Sequence, residues 1–465
     1  MKVQVRIPPS YPAERDYIIS TLLSDFLGLD VQIELGQRQE TVITAGTRGE
    51  LIVADGLFTC PHEQWLTSAS LPQRPLRMWE VKELGEHLPL VSIRVPVIYG
   101  KPLPGGEWMT QDGETLRLGL DVFGSSFFML TRYEEAVKPD RDRYDRFPAT
   151  SSLAYQENFL DRPIVNEYLE ILWACLKRLW PNLERKPREF HIRVGHDVDR
   201  SYLHAFAHPI TLLRNCAGDV LLRHQVRGAL RRASAYIQVK RGNLKADPYN
   251  TFDLLMGMDE RGGLRSTFHF LGGRLPDVDS DYPLDHPRIR TLLRHIHERG
   301  HSLGYHASYD SYRDPDRTQK EFQRLKHVCE KEGIEQDTWG GRQHYLRWQT
   351  PITFQNLNDA GLDYDATLSF PEHAGFRCGV CYEYPVFNVV RKEKLRLRER
   401  PLIVMDRTIT DDDTMGLGRG EKALEKMLLY KNLCRRFRGD FALLWHNTRL
   451  VDSLDVTLYE GVLHG

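Results

Sequence analysis

The sequence predicts a distorted parallel (β/α) barrel of seven or eight repeats, preceded by a smaller α/β domain. Two observations support this prediction. After residue 190, apolar runs alternate with helical patterns over roughly 275 residues, which is the size and rhythm of a parallel barrel. Before it, short β-like runs mix with helical patterns, and the proline- and charge-rich segment 181–189 lies between the two parts. We therefore expect an N-terminal domain over 1–185 and a barrel over 190–465. An open, doubly wound sheet is the structural alternative.

The individual elements follow from periodicity and from β-branched content. The N-terminal strand candidates are VQVRI (3–7), VQIEL (31–35), LIVAD (51–55) and LVSIRVPVIY (90–99), with helical patterns at 14–27 and 165–180. The C-terminal strand candidates are 191–199, 264–271, 301–306, 338–345, 364–370, 382–387, 401–406 and 440–446. The helical patterns between them cover 287–299, 316–332, 351–360 and 420–437. Runs such as LIVM and ALLW are apolar throughout, as expected for strands that are buried on both faces.

Composition excludes several classes of protein. The chain has 63 Lys and Arg residues against 64 Asp and Glu, a formal net charge of −1, so we expect no nucleic-acid partner. One stretch differs: residues 204–245 hold eight Lys or Arg and one acid, Asp219, with apolar residues at helical spacing. It is either a solvated helical cap over the barrel mouth or a dock for a phosphorylated or lipid-linked substrate.

The seven cysteines are too scattered for a disulfide framework. No apolar run has the length of a membrane span or a secretion signal, so we expect a cytoplasmic protein.

Ionisable residues occur at the ends of five predicted strands. They are Asp197 and Asp199, His269, His306 with Asp310 four residues on, Arg342 with His344, and His446. The carboxyl ends of parallel barrel strands meet at one mouth, where reacting groups are placed. We expect Asp197 and Asp199 to point to different sides of their strand and to take different roles. One carboxylate can bind a cation together with an imidazole while the other acts as a base, and a distant histidine can deliver a proton.

Five motifs follow one another along the C-terminal part. They are GHDVD (195–199), RSTFHF (265–270), GHSLGYHASYD (300–310), GRQHY (341–345) and LLWHN (443–447). In this order they resemble the motifs of polysaccharide deacetylases of the NodB-homology, carbohydrate esterase family four type. The resemblance covers about 190–450 and implies a distorted barrel that removes acetyl groups from N-acetylated sugars with a divalent metal. The segments DVFGSSFFMLTRYEE (121–135) and RDRYDRF (141–147) resemble an uncharacterised N-terminal domain of one bacterial branch, which implies no function.

The resemblance also implies roles for individual residues. These are Asp197 as general base, Asp199 and His306 as metal ligands, Arg342 as the arginine that orients the base, and His446 as the catalytic acid. The family usually has a second histidine four residues after the first histidine ligand, where this chain has Asp310. The third ligand is therefore Asp310 or His344. We expect zinc as the metal, with cobalt or nickel as alternatives.

Three aromatic residues near these motifs, Tyr309, Tyr345 and Trp445, are expected to stack on a sugar ring. The leading hypothesis is a carbohydrate N-deacetylase that acts on a cytoplasmic polysaccharide or glycoconjugate precursor, with the sugar free or linked to a nucleotide or a lipid. Two alternatives stay open: a non-catalytic saccharide-binding protein on a degraded barrel, and a hydrolase of a non-sugar amide. The sequence does not fix the oligomeric state.

Overall fold

The computed structural model describes residues 2–85, 88–275, 278–279 and 282–465. Its strands are β1 (Val3–Ile7), β2 (Val31–Leu35), β3 (Thr41–Ala45), β4 (Glu50–Val53), β5 (Arg77–Glu80), β6 (Arg94–Val97), β7 (Met109–Asp112), β8 (Thr115–Leu118), β9 (His191–Val198), β10 (Thr267–Leu271), β11 (Ser302–Ala307), β12 (Gly340–Gln343), β13 (Tyr364–Asp365), β14 (Tyr384–Asn388), β15 (Glu393–Glu399), β16 (Val404–Met405) and β17 (Asp440–Leu444). Its α-helices are α1 (Pro12–Ile19), α2 (Val122–Leu130), α3 (Tyr133–Val137), α4 (Leu153–Gln156), α5 (Ile164–Leu179), α6 (Pro209–Leu221), α7 (Val226–Lys240), α8 (Phe252–Arg261), α9 (Pro287–Glu298), α10 (Pro315–Lys331), α11 (Ile352–Ala360), α12 (Asp406–Thr410), α13 (Glu421–Arg436) and α14 (Ser453–His464). Within these described ranges, every helix is too short or too polar to span a bilayer.

The chain divides into two compact units, and each is assembled from three separate stretches. Unit 1 comprises Met1–His191, Leu346–Val404 and Leu429–Phe441, and unit 2 comprises Ile192–Tyr345, Met405–Leu428 and Ala442–Gly465. The division into domains 1–185 and 190–465 stays a prediction.

Unit 1 contains a six-stranded mixed sheet in the order β2-β1-β3-β4-β8-β7. β1 runs parallel to β2 and β4 runs parallel to β8, whereas the remaining neighbours are antiparallel. In β1, Val3, Val5 and Ile7 are buried and the residues between them are exposed. This alternation follows from the period of a strand, whose successive side chains point to opposite faces. β5 and β6 form a separate antiparallel pair.

Unit 2 contains parallel strands that alternate with helices. β12, β11, β10 and β9 lie side by side in that order, and every pair is parallel. The helices α8, α9 and α10 each precede the next strand of this row. In β10, Phe268 to Leu271 are all buried, as expected for a parallel sheet that is covered on both faces. The prediction of a mixed α/β chain with parallel strands is confirmed, and the arrangement is compatible with a distorted barrel.

The row of parallel strands also sets the register of the residues at its carboxyl end. Gly195 of β9 pairs with Thr267 of β10, and His306 of β11 pairs with Arg342 of β12. Because the strands are parallel and in register, the residues that follow them emerge at the same edge. This edge carries the ionisable residues that the sequence places at the strand ends.

Candidate active site

The two aspartates at the end of β9 both face the imidazole of His306. Its Nε2 lies 3.1 Å from Oδ1 of Asp199 and 3.8 Å from Oδ2 of Asp197. The prediction that these carboxylates point to different sides of the strand is wrong, because residues i and i+2 of a strand share a face. They differ instead in exposure and in their other partners. The side chain of Asp199 is 32% exposed and that of Asp197 is 4% exposed.

His306 is oriented by the backbone of the neighbouring strand. Its Nδ1–H donates to the carbonyl oxygen of Arg342 at 2.8 Å. This bond leaves the other ring nitrogen, Nε2, as the atom that faces Asp199. A ligating histidine typically has such a hydrogen bond on its second ring nitrogen.

His344 is oriented in the same way by a buried carboxylate. Its Nδ1 donates to Oδ1 of Asp279 at 2.8 Å, and its Nε2 lies 3.5 Å from Oδ1 of Asp199. Asp279 is itself held by the backbone N–H groups of Tyr309 and Leu275, each at 2.9 Å. The sequence motifs do not include Asp279. No pattern singles it out, because it lies between β10 and α9, away from the strand-end motifs.

Asp199, His306 and His344 together fit a divalent metal. Their ligand atoms all lie within 4.8 Å of one another. One carboxylate and two imidazoles with fixed Nδ1–H groups form a donor set typical of zinc, cobalt or nickel, and three protein ligands leave positions for water and substrate. Burial raises the pKa of Asp199, but the neighbouring histidines outweigh this effect and hold it well below the usual range. The ligand is therefore ionised at neutral pH.

Asp310 does not belong to this set of converging groups. It is exposed and stands at the start of the turn Ser311–Arg313. Of the two predicted third ligands, His344 is thus the one that the structure brings beside Asp199 and His306. Tyr309 and Tyr345 lie next to each other, with ring centroids 5.3 Å apart at an interplanar angle of 89°. Tyr345 has a positive φ of 59° and is 39% exposed, so its ring is available to a ligand.

Arg342 holds Asp197. Nη1 of Arg342 donates to Oδ1 of Asp197 at 2.8 Å, and both side chains are buried. Burial raises the pKa of Asp197, but Arg342 and the nearby histidines hold it well below its usual range. Gly195 makes room for this pair, since a Cβ there would lie 2.8 Å from Nη1 of Arg342. Asp197 is therefore a fixed, ionised carboxylate beside the metal-ligand set.

His269 of β10 also contacts Asp197. Its Nδ1 lies 3.3 Å from Oδ1 of Asp197. Burial and the positive charge of Arg342 lower the pKa of His269 to about 4, so the ring is neutral at neutral pH. Its neighbour across the sheet is Gly304, where a Cβ would lie 2.4 Å from Cδ2 of His269. The glycine is therefore needed for the ring to occupy this position.

His446 pairs with a carboxylate that the sequence motifs do not contain. Its Nδ1 lies 2.8 Å from Oδ1 of Asp406, whose Oδ2 accepts the backbone N–H of His446 at 2.7 Å. The Nε2 of His446 lies 3.7 Å from Oδ2 of Asp199. Burial lowers the pKa of His446, but Asp406, Asp199 and Asp197 outweigh this effect and raise it to about 9. Nε2 therefore carries a proton at neutral pH. The position of Asp406 at the end of the predicted strand 401–406 was the only sign of it in the sequence.

Trp445 lies in the interior rather than at the site. Its side chain is fully buried and its ring centroid is 4.8 Å from that of Tyr459. Its backbone N–H donates to the carbonyl oxygen of Gly195 at 3.0 Å. The predicted stacking of Trp445 on a sugar has no exposed ring face to support it, and the residue instead fixes the backbone beside His446.

Comparison with known proteins gives partial similarities. A family of unknown function, DUF7033, matches residues 3–181, and no curated protein matches the chain. A protein of Mycobacterium smegmatis assigned as a polysaccharide deacetylase is 18% identical with a TM-score of 0.37, over 60% of this chain and 84% of that one. Puue allantoinase is 11% identical with a TM-score of 0.36, over 59% and 83%. A protein of Pseudomonas aeruginosa PAO1 assigned as a polysaccharide deacetylase is 12% identical with a TM-score of 0.34, over 67% and 90%.

Proposed function

We propose that this chain is a metal-dependent hydrolase that removes the acetyl group from an N-acetylated sugar. The observation that carries the proposal is a cluster of five groups. Asp199, His306 and His344 converge as a ligand set. Beside them lie the ionised carboxylate of Asp197, which Arg342 holds, and the imidazole of His446, which is protonated at neutral pH. Metal-assisted amide hydrolysis uses these three components: a Lewis acid, a base and an acid for the departing amine.

A divalent ion held by the three ligands would polarise the amide carbonyl and lower the pKa of water. Asp197 is the base in this proposal, because it is the carboxylate that does not belong to the ligand set. Its Oδ1 is bonded to Arg342, and its Oδ2 faces the cluster, 3.8 Å from His306 Nε2. The attacking water transfers its proton to Asp197.

His446 is the acid in this proposal. Asp406 engages Nδ1, so the proton on Nε2 is the one that faces the site. A pKa of about 9 keeps this proton in place at neutral pH. When the bond between the carbonyl carbon and nitrogen breaks, Nε2 donates this proton to the departing amine.

The substrate class rests on the motif resemblance and on the aromatic pair. Tyr309 and Tyr345 offer ring faces of the kind that pack against sugars. We propose an N-acetylated sugar of a cytoplasmic glycoconjugate precursor, free or linked to a nucleotide or a lipid. We also propose that residues 1–185 form a domain of their own.

The test is acetate release from N-acetylated saccharides by the purified protein with added Zn²⁺, Co²⁺ or Ni²⁺. We expect activity that Asp197→Asn and His446→Ala each reduce at least about 100-fold. Asp413→Asn and His327→Ala change the same residue types at exposed positions and are the matched controls. Activity that persists unchanged in Asp197→Asn and His446→Ala would contradict the assigned roles.

The non-catalytic alternative makes a different prediction for the same samples. A saccharide-binding protein on a degraded barrel would bind sugars without releasing acetate and would hold no stoichiometric metal. A panel of non-sugar amides separates the third hypothesis, because a hydrolase of such amides would cleave them and leave N-acetylated saccharides intact.

A further inference from the structure

The helices α6 and α7 form a basic hairpin, defined here as residues 209–240 of unit 2. Asp219 of α6 links them, because it accepts hydrogen bonds at 2.8 Å from Nε of Arg232 in α7 and from Nε of Arg223 in the connection. The hairpin therefore has an internal tie that uses its one acidic side chain. The remaining cations of the hairpin have no carboxylate partner within it.

Large apolar side chains are exposed on this hairpin. Eight of the nineteen exposed large hydrophobic side chains in the described part of the chain lie within it. Leu221 and Leu222 at its tip are 71% and 79% exposed, and Leu213 and Leu230 on the two helices are 68% and 66% exposed. On α6 the exposed apolar residues recur at helical spacing, so they form one stripe rather than scattered positions. Contiguous apolar surface of this kind marks an interaction site.

Positive charge flanks the apolar stripes. Arg214, Arg227, Arg231 and Arg241 are all exposed. Arg214 lies one helical turn after Ile210, and Arg227 and Arg231 directly follow Val226 and Leu230. This spacing puts the three arginines along the edges of the apolar stripes. A surface with aliphatic residues in the middle and cations at the rim is the pattern of helices that lie in a membrane interface.

We propose that the basic hairpin binds the surface of a membrane that contains anionic lipids. The aliphatic tip would enter the boundary between headgroups and acyl chains, and the arginines would contact lipid phosphates. Charge complementarity favours this partner over a second copy of the chain, because an interface formed by the same face twice would bring like charges together. No helix has to cross the bilayer.

The basic hairpin also contributes residues to a cavity of unit 2. A cavity of about 750 Å³ has His208 and Thr211, at the start of α6, on one wall. Arg200, Arg274 and Asp279 line other parts of it, and Asp279 is the carboxylate that orients His344. The cavity that the start of α6 helps to line therefore extends to Asp279, the hydrogen-bond partner of the candidate metal ligand His344. The proposal does not depend on the hydrolase proposal, since lipid binding is measured without turnover.

Cosedimentation with vesicles tests the proposal on the full chain. We expect binding to vesicles of phosphatidylcholine with phosphatidylglycerol, weaker binding at high salt, and little binding to phosphatidylcholine alone. Leu221→Asp/Leu222→Asp should weaken binding at least about tenfold. The control Val451→Asp/Leu454→Asp changes two residues of unit 2 that are 54% and 55% exposed and should bind like the wild type.

Charge reversal provides an independent variant. Arg227→Glu/Arg231→Glu should also weaken binding at least about tenfold, whereas Lys320→Glu/Lys331→Glu, a reversal on exposed positions of α10, should not. Absence of vesicle binding by the wild type overturns the proposal. So does equal binding by all variants. If the wild type instead self-associates or binds only an acidic protein, and the leucine variant abolishes that, the hairpin is a protein interface and the membrane proposal is wrong.

Discussion

Asp406→Asn is the sharpest test of the proposal that His446 is the acid. The variant keeps a hydrogen-bond acceptor for Nδ1 of His446 but removes the negative charge that stands 2.8 Å away. That charge is the largest of the effects that raise the pKa of His446 to about 9 against the lowering effect of burial, and the charges of Asp199 and Asp197 add to it. We expect the pKa in the variant to fall to about 6.5, the ordinary value, or below. The acid form is then lost as pH rises through about 6.5 instead of about 9.

The loss of activity should therefore depend on pH. At pH 8, about nine-tenths of His446 is protonated at a pKa of 9 but only about 3% at a pKa of 6.5, which predicts a loss of about 30-fold in kcat/KM. At pH 6 the same arithmetic predicts a loss below about twofold. The measurement is the pH profile of acetate release for the wild type, Asp406→Asn and the exposed control Asp413→Asn, with melting curves to confirm folding. A loss of equal size at every pH would refute the electrostatic reasoning, and no loss at all would refute His446 as the acid.

Three further predictions concern the base and the metal ligands. Gly195→Ala places a methyl group against Arg342, which holds the proposed base Asp197. We therefore expect at least about tenfold lower activity, with the metal content unchanged. The control Gly420→Ala, where a Cβ meets nothing within 4 Å, should keep wild-type activity. Asp279→Asn removes the negative charge that accepts the Nδ1–H of the proposed ligand His344. We expect zinc affinity about 10- to 100-fold lower in a competition titration. The exposed control Asp413→Asn should bind zinc like the wild type. Burial lowers the pKa of His306, but the neighbouring carboxylates outweigh it and raise the pKa above its ordinary value. Protons therefore compete for this ligand at low pH, and zinc affinity should fall by up to about tenfold per unit as pH drops below that pKa. Affinity that does not change between pH 8 and pH 5 would contradict this.

Much of the C-terminal fold could be predicted because its strands are long apolar runs. The runs 191–199 and 264–271 contain β9 and β10, and the run 301–306 covers β11 except for Ala307. The strand predictions fail where apolar and charged or polar residues are mixed along the segment. The strand Glu393–Glu399 was missed because charged residues alternate along it, with a burial pattern that is half exposed. The apolar run 364–370 forms a strand only at its first two residues.

The candidate site was predictable where chemistry and strand ends coincide. Asp199 and His306 were predicted as ligands, His344 was one of the two alternatives for the third, and the structure brings the three together. The choice between His344 and Asp310 could not be made from sequence, because it depends on the path of the chain after β11 and β12. That path leaves Asp310 exposed in a turn.

The residues that support the site were harder to predict. Asp279 and Asp406 each bond Nδ1 of a histidine that is more than 35 residues away in sequence. Such pairs arise from tertiary packing, so no local motif marks them. The sequence also placed Trp445 at the site, because it precedes His446. The two residues follow β17 directly, and adjacent residues of an extended chain point in opposite directions, so Trp445 is buried whereas His446 faces the site.

Zinc titration of three proteins tests most directly whether Asp199, His306 and His344 hold one cation. The proteins are the wild type, His344→Ala and Asp310→Ala, each stripped with a chelator and then titrated in competition with a chromophoric chelator. We predict one tightly bound ion per chain for the wild type and for Asp310→Ala, and an affinity at least about 100-fold lower for His344→Ala. Equal affinity in all three proteins, or loss in Asp310→Ala alone, would contradict the assigned metal centre.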